Sequence, residues 1–374
     1  MPARAETLDP RNHPDEQFDL FSIPSHDRGR PDIVRGHEVG SPKQIVHPGD
    51  VVVSKIVPHI RRASVIGGFR GRRQIASGEW IVLRNPSVEP RYLRSFLVSD
   101  DFHARFMSTV AGVGGSLLRA RPAQVRLIEA PLPSLEEQRR IAAVLDHADT
   151  LRAKQRQVLD YFDALTQSIF HEMFAGLSPE ATVEDIALKV RTGPFGSQLL
   201  HSEFVDAGVA VLGLDNVVSN EFAWTGARFI TDEKYADLKR YTVDPGDVLI
   251  SIMGTTGRCV VVPDGIPRSI NSKHLCAITP DHERAVPEYL QAAFLWDVNA
   301  RRHLQKQTKG SIMSGLNMGI IKSMPIPLPP LTTQQAFRDR IAAASSAKAD
   351  ATRRLKQIDE LFASLQSRAF RGEL

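Results

Sequence analysis

From Ile141 onward, apolar residues recur in steps of three and four, at Leu145, Ala148, Leu151, Val158, Phe162, Leu165 and Ile169, with Gln155 as the polar gap in the series. Such spacing draws one narrow seam along a helix face rather than a broad core-facing stripe. Pro131 and Pro133 precede it, and Ser134 stands three residues before Glu137, the spacing of a capping box. Neither proline nor glycine interrupts Leu135 to Phe174, so the pattern predicts one helix of about forty residues, roughly 60 Å at 1.5 Å rise per residue. A helix so long and so narrowly apolar requires a partner helix. A second seam, over about Thr332 to Phe370, supplies one: Phe337, Ile341, Ala344, Ala347 or Ala351, Leu355, Ile358, Phe362, Leu365 and Ala369.

The segments before each seam have a shorter period. FDLFSI, IVHPGDVVVSKIV, SVIGGF and EWIVLRN are Val- and Ile-rich runs broken by Pro, Gly and Asp, which predicts a small twisted sheet. PRYLRSFLVSDDFHARFMSTV then has helical spacing, and the glycine-rich AGVGGSLLRA and VRLIEAPLP lead into the first long helix. The second half repeats this order. Pro48-Gly49-Asp50 before VVVS answers to Pro245-Gly246-Asp247 before VLIS, EPRYLRSFLVSD to VPEYLQAAFLWD, Gly115-Ser116 to Gly310-Ser311, and PLPSLEEQRRI to PLPPLTTQQAF, the last at an offset of 196. Towards the helix ends the offset becomes 200, with Val158, Phe162 and Leu165 answering to Ile358, Phe362 and Leu365. One helical turn is therefore gained near Ser345 to Arg354, an insertion that a coiled coil absorbs as a stutter.

This organisation predicts an α+β chain of two similar domains joined by two long antiparallel helices, a pseudo-two-fold internal repeat. The expected division is residues 1–130 for the first domain, 131–176 for the central helix, 177–329 for the second domain and 330–374 for the C-terminal helix. ATVEDIALKVRTGPFGSQLLHSEFVDAG, which opens the second domain, has no counterpart in the first. The first domain is thus expected to be built differently or to be shortened at its N-terminus.

Composition narrows the function classes. Cys259 and Cys276 are the only cysteines, too few for a disulfide framework, and no stretch has zinc-ligand spacing, so a reducing cytoplasm is the expected compartment. No apolar run approaches the length of a membrane-spanning helix. The net charge of +4 is small, but its distribution is uneven: Ser54 to Arg126 holds 13 Lys or Arg against 4 acids, and Val298 to Arg338 holds basic residues and no acid. Two basic patches, one in each half, point to nucleic acid.

Catalytic signatures are missing. There is no GxxxxGKS-type phosphate loop, no HExxH helix and no Asn-Pro-Pro-Tyr motif for amino methylation. Gly112, Gly114 and Gly115 lack dinucleotide-loop spacing, Gly254 to Gly257 reads as a hairpin turn, and His37, His47 and His59 are scattered. No catalytic or metal residues are assigned. The candidate DNA contacts are Lys55, Arg61, Arg62, Arg70, Arg72 and Arg73 in the first half, and Arg191, Ser197, Gln198, Lys273, Arg301, Arg302, Lys306, Lys309 and Ser311 in the second. The mixed charges of the long helices suit a scaffold, so a coiled-coil adaptor with only non-specific nucleic-acid contact is the alternative class.

APLPSLEEQRRIAAVLDHADTLR, KVRTGPFGSQL and GSIMSGLNMGIIKSMPIPLPPLTTQQ resemble the specificity subunit of type I restriction-modification enzymes. The resemblance spans nearly the whole chain, with TTQQ in the second helix where EEQR is usual. It implies a non-catalytic, cytoplasmic subunit in which each domain reads one half of a bipartite site on double-stranded DNA. The helix pair would set the gap and dock two methyltransferase subunits, joined by an endonuclease/translocase subunit. S-adenosylmethionine would be held by the methyltransferase, and no cofactor by this chain.

Overall fold

The computed structural model describes residues 6–112, 118–225, 228–308 and 315–374. The chain divides into two compact units that each take one end of both long helices, Met1–Gln157 with Ala351–Leu374, and Val158–Asp350.

The two main sheets of the first unit are built from eight short strands, most of them Val- or Ile-bearing: β1 (Thr7–Leu8), β2 (Gln17–Phe21), β3 (Asp32–Arg35), β4 (Lys43–Ile45), β5 (Val51–Ser54), β6 (Ala63–Val65), β7 (Arg73–Ala76) and β8 (Trp80–Leu83). One sheet has the order β1-β4-β7-β2-β3 and the other β6-β5-β8. Within the first, β2 and β7 run parallel and the remaining pairs are antiparallel. The Pro48-Gly49-Asp50 turn that enters β5 shows why those residues recur. Gly49 sits at φ 88°, the left-handed value demanded at the third position of a type II turn, with proline ahead of it at the second. Asp50 N–H closes the turn on the His47 carbonyl at 3.0 Å, and the Asp50 carboxylate accepts from His47 N–H at 2.8 Å. The second unit repeats both bonds, with Gly246 at φ 83° and Asp247 bonded to Asp244.

The stretch after β8 reads as continuously helical in sequence but is two helices, α1 (Pro90–Leu97) and a second over Asp100–Ser108. Ser99 separates them because its hydroxyl caps the second, accepting from Phe102 N–H at 3.2 Å. The central helix, α2, covers Leu135–Phe174 as the seam predicts, and Ser134 caps it through Glu137 N–H at 3.2 Å.

The second unit contains β9 (Ala187–Thr192), β10 (Val209–Leu212), β11 (Phe229–Ile230), β12 (Thr242–Val243), β13 (Val248–Ser251), β14 (Cys259–Val261), β15 (Ser269–Asn271) and β16 (Leu275–Pro280), followed by α3 (Pro287–Trp296) and the C-terminal helix α4 (Leu331–Arg371). Its sheets have the orders β9-β16-β13-β14 and β11-β10-β15-β12, with β10 and β15 parallel as β2 and β7 are. The extra segment at the start of this domain supplies β9, which pairs along β16 from Ala187 to Thr192. In the first unit β8, the counterpart of β16, has β5 as its one strand neighbour among the described residues.

The missing strand has a chemical consequence. Asp247 is almost completely buried and is held by Arg191 of β9 and by Thr279 Oγ1 at 2.6 Å. Asp50, equally buried, has no such strand beside it, and Arg84 at the end of β8 reaches it instead through two bonds of 2.6 and 2.7 Å. A buried carboxylate without a donor costs several kcal/mol, so each unit provides a guanidinium from whichever element lies within reach.

The PLPxLxxQ motif is a staple between domain and helix. Gln138 accepts from Glu89 N–H at 2.9 Å, just ahead of α1, and donates to the Pro133 carbonyl at 2.9 Å. Tyr92 donates its hydroxyl to the Pro131 carbonyl at 2.8 Å. Gln334 repeats this with Val286 N–H at 2.8 Å and the Pro329 carbonyl at 2.9 Å, and Tyr289 bonds the Pro327 carbonyl at 2.8 Å. Apolar contacts close the same junction. Phe370 of α4 lies edge-on to Tyr92 and Phe96 in the first unit, while Phe170 and Phe174 of α2 pack on Tyr289 and Phe337 in the second.

Within each unit the two helices run antiparallel, as Arg152–Asp359 and Gln155–Ala351 show in the first and Arg340–Glu172 and Lys348–Asp163 in the second. The seam is buried at Leu145, Ala148 and Ile169, but Leu151, Val158 and Leu165 are exposed. A helix pair offers each seam residue a single facing helix, which cannot enclose it as a domain does. Gln155, the polar gap, donates to the Ala351 carbonyl at 2.9 Å.

Candidate nucleic-acid interface

The first unit divides its basic residues into two groups. Arg61 pairs with Asp100 at 2.6 Å and donates to the Val98 carbonyl. Arg62 makes a two-pronged pair with Asp27 at 2.8 and 2.9 Å, and this holds the Asp27 carboxyl below the usual carboxylate range. Arg72 bonds buried Asp19 at 2.7 Å, and Arg73 pairs with Glu16 while lying 5.2 Å from the Phe18 ring centroid. The basic run predicts these four guanidiniums in one DNA-facing cluster. They are instead engaged by acids of the same unit, which offset part of the positive charge that a phosphate would meet.

Lys55 and Arg70 have no ion-pair partner among the described residues. Chain pairing adds two arginines that the sequence did not single out. Arg119 bridges Ile56, Ala120 N–H donates to the Lys55 carbonyl at 2.8 Å, and Arg121 N–H donates to the Thr109 carbonyl. This places Lys55, Arg119 and Arg121 on neighbouring backbone, with both arginines exposed. Only the spatial return of the chain after the glycine-rich stretch brings them together, so no local pattern could have reported it.

In the second unit Arg301, Arg302 and Lys306 stand exposed on the helix Val298–Thr308, with Arg302 and Lys306 one turn apart. Lys273 is exposed in the turn between β15 and β16. Ser197 is exposed too, whereas Gln198 uses its Oε1 to accept from Tyr241 Oη at 2.8 Å and from Phe195 N–H. Arg191 differs most from its expected role: its side chain is only 12% exposed and it braces Asp247 and the Thr242 carbonyl. Lys309 and Ser311 lie outside the described residues, as does the glycine-rich stretch 113–117. Among the described residues no group of His, Cys, Asp and Glu could hold a metal ion, and no helix is long and apolar enough to cross a membrane.

The molecule is thus one build made twice in the chain, each copy a two-sheet domain stapled to a helix pair and carrying its own exposed cations. Residues 213–358 match the model of the type I restriction modification DNA specificity domain. The chain is 24% identical over 276 residues to the EcoBI specificity subunit of Escherichia coli, covering 65% of this chain and 58% of that protein. It is 25% identical over 316 residues to the EcoKI specificity subunit of E. coli K12, covering 76% of this chain and 65% of that one. Each match therefore spans less than two thirds of the relative's length. In fold it is similar to a chain solved in work on complex assembly and conformational transition of the type I R-M system, at 18% identity and TM-score 0.66 over 100% of this chain and 96% of that one. The specificity subunit from M. genitalium aligns with TM-score 0.56 at 12% identity over 96% of this chain and 89% of its own. The chain is thus similar, over part of their length, to the specificity subunits of type I restriction-modification systems, and shares its fold with solved members of such systems.

Proposed function

We propose that this chain is the sequence-specific DNA-binding subunit of a type I restriction-modification complex. The carrying observation is the repetition of one build, from the Pro-Gly-Asp turn to the Gln and Tyr bonds at the helix junction. Two copies of a reader in one chain suit a bipartite, asymmetric site, each unit reading one half. The helices α2 and α4 would set the gap. Their exposed apolar residues, among them Leu151, Tyr161, Val158 and Leu361, would dock two methyltransferase subunits, with an endonuclease/translocase subunit joining them. S-adenosylmethionine would belong to the methyltransferase, and the complex would act in the cytoplasm.

Methylome sequencing of a host carrying the chain with its methyltransferase tests this. One split adenine-methylation motif is expected, and methylation indifferent to sequence would leave only the adaptor reading. The helix register gives a second expectation. Deleting four residues within Ser345 to Arg354 removes about 6 Å of helix, close to two base pairs of B-DNA, and should change the motif's gap or abolish assembly; an unchanged gap with intact assembly would contradict the spacer role.

The exposed cations should govern salt dependence. Replacing Lys55, Arg119 and Arg121 with glutamine is expected to reduce the slope of log affinity against log salt by up to about 0.9 for each phosphate that is no longer neutralised. Arg62→Gln, which removes a guanidinium already paired with Asp27, should leave that slope unchanged. Filter-binding titrations between low and moderate salt distinguish the two.

A further inference from the structure

Between the two sheets of the first unit lies a cavity of about 320 Å³. Asp19 and Gln74 line it from directly paired positions of the parallel strands β2 and β7. Both side chains are at least nine-tenths buried, and both are held in place. Asp19 Oδ1 accepts from Arg72 Nε at 2.7 Å, and Gln74 Nε2 donates to the carbonyls of Gly67 and Gly68 at 3.0 and 3.3 Å. What is left is a pair of buried acceptors, Asp19 Oδ2 and Gln74 Oε1, that no donor among the described residues satisfies. Such atoms are rare in folded proteins and call for a partner. In the second unit the equivalent parallel pair places Ala210 opposite Ser269, whose hydroxyl is bonded to the Pro267 carbonyl at 2.7 Å. The acceptor pair is therefore a property of this cavity and not of the fold.

Three aromatic residues, Phe21, His26 and Trp80, stand in the wall among serines, glycines and two arginines. Trp80 and His26 meet edge-to-face with ring centroids 5.5 Å apart. Trp80 Nε1 is engaged by the Phe21 carbonyl at 3.1 Å, and His26 Nδ1 by Ser64 Oγ at 2.8 Å. These bonds fix the rings and leave them as apolar surfaces. Gly67, Gly68 and Arg70 form part of the cavity lining, and exposed Phe69 stands between Gly68 and Arg70.

We infer that this cavity binds a nucleobase bearing amino N–H donors, held by Asp19 and Gln74 against Trp80 and His26. Adenine and cytosine offer an exocyclic amino group, and guanine offers adjacent N1–H and N2–H donors. Thymine has a single donor, N3–H, flanked by two carbonyl oxygens, so it could satisfy at most one of the two acceptors and would bind more weakly. The base is either a free nucleoside or nucleotide, or one turned out of bound DNA, and only the second source rests on the DNA-binding function proposed above.

The test uses the full chain in two arms. In the first, tryptophan quenching and calorimetry follow titration with adenosine, cytidine, guanosine and thymidine. In the second, duplexes of the methylation motif carry 2-aminopurine at successive positions, and its fluorescence reports unstacking. The expected result is an amino-bearing nucleoside bound at least tenfold tighter than thymidine, or a 2-aminopurine signal that rises at one position on binding. Asp19→Asn, which sets an amide N–H against Gln74 Oε1, and Gln74→Leu should each weaken the response at least tenfold while melting and gel shift of the duplex are retained. If neither arm responds, or if both variants respond like the wild type, the inference is overturned. A nucleoside response without duplex binding would uphold the cavity and instead overturn the DNA-binding reading.

Discussion

Arg191→Leu should destabilise the second unit by about 3–5 kcal/mol, the usual cost of leaving a buried charge without its partner. Arg191 and Asp247 are 12% and 1% exposed, so water cannot replace the missing guanidinium. Thr279 Oγ1 and Asp244 N–H would still reach the carboxylate, but both are neutral donors. The first unit provides the control. Arg84→Leu removes the equivalent partner of Asp50, but the Arg84 side chain is 38% exposed, and the smaller desolvation there should give a smaller loss. Because the chain has two compact units, one melting temperature would blur the difference. Hydrogen exchange resolved by segment would separate them: faster exchange over β13 and β16 in Arg191→Leu, and unchanged exchange over β5 and β8. Equal loosening of both units would argue against this account of the missing strand.

Gln334→Leu should cost about 3 kcal/mol, since one buried N–H and two carbonyls lose their partners at about 1–3 kcal/mol for each group left unsatisfied. Gln334 is fully buried and bonds Val286 N–H, the Arg284 carbonyl and the Pro329 carbonyl. Leucine matches it in size, so the loss would be polar rather than a cavity. The effect should also be local in kind: α4 loses the bonds that hold its first turn to the start of α3, and the Tyr289 hydroxyl with the packing of Phe170, Phe174 and Phe337 would then carry the junction. Denaturant titration should show the second unit's transition moved to lower concentration with the first unit's unchanged. A shift below about 0.5 kcal/mol, the range of ordinary surface substitutions, would show that the motif's glutamine is not a structural staple.

Much of the architecture was legible because it follows from local rules. The seam and its cap give α2 its limits of Leu135 and Phe174, since apolar spacing, capping chemistry and the lack of a breaker all act within a few residues. The Pro-Gly-Asp turns are similarly local, requiring φ > 0 at one position. The segment without a counterpart was visible as a difference in length, and it is the segment that supplies β9. The candidate interface was harder to read. Arg61, Arg62, Arg72 and Arg73 look alike as a basic run, but Asp100, Asp27, Asp19 and Glu16 reach them from distant positions. Arg119 and Arg121 join Lys55 only through strand return. Net charge along a sequence counts cations, whereas a surface displays only those that no acid has neutralised.

The sequence by itself determined that one unit occurs twice, where each long helix begins and ends, and which Pro, Gly, Gln and Tyr positions recur at its joints. Periodicity and turn chemistry act over a few residues, and a repeat is a comparison of the chain with itself. Tertiary structure decided the pairing. The first domain is completed by the start of α2 and the end of α4, with Phe370 against Tyr92, and the second by the end of α2 and the start of α4, with Phe170 against Tyr289. It also decided that Asp50 and Asp247 draw their arginines from different places in the chain, and that Asp19 Oδ2 and Gln74 Oε1 meet no donor among the described residues. These are contacts between residues far apart in the chain, whose cost or benefit depends on burial, and burial exists only once the chain has folded.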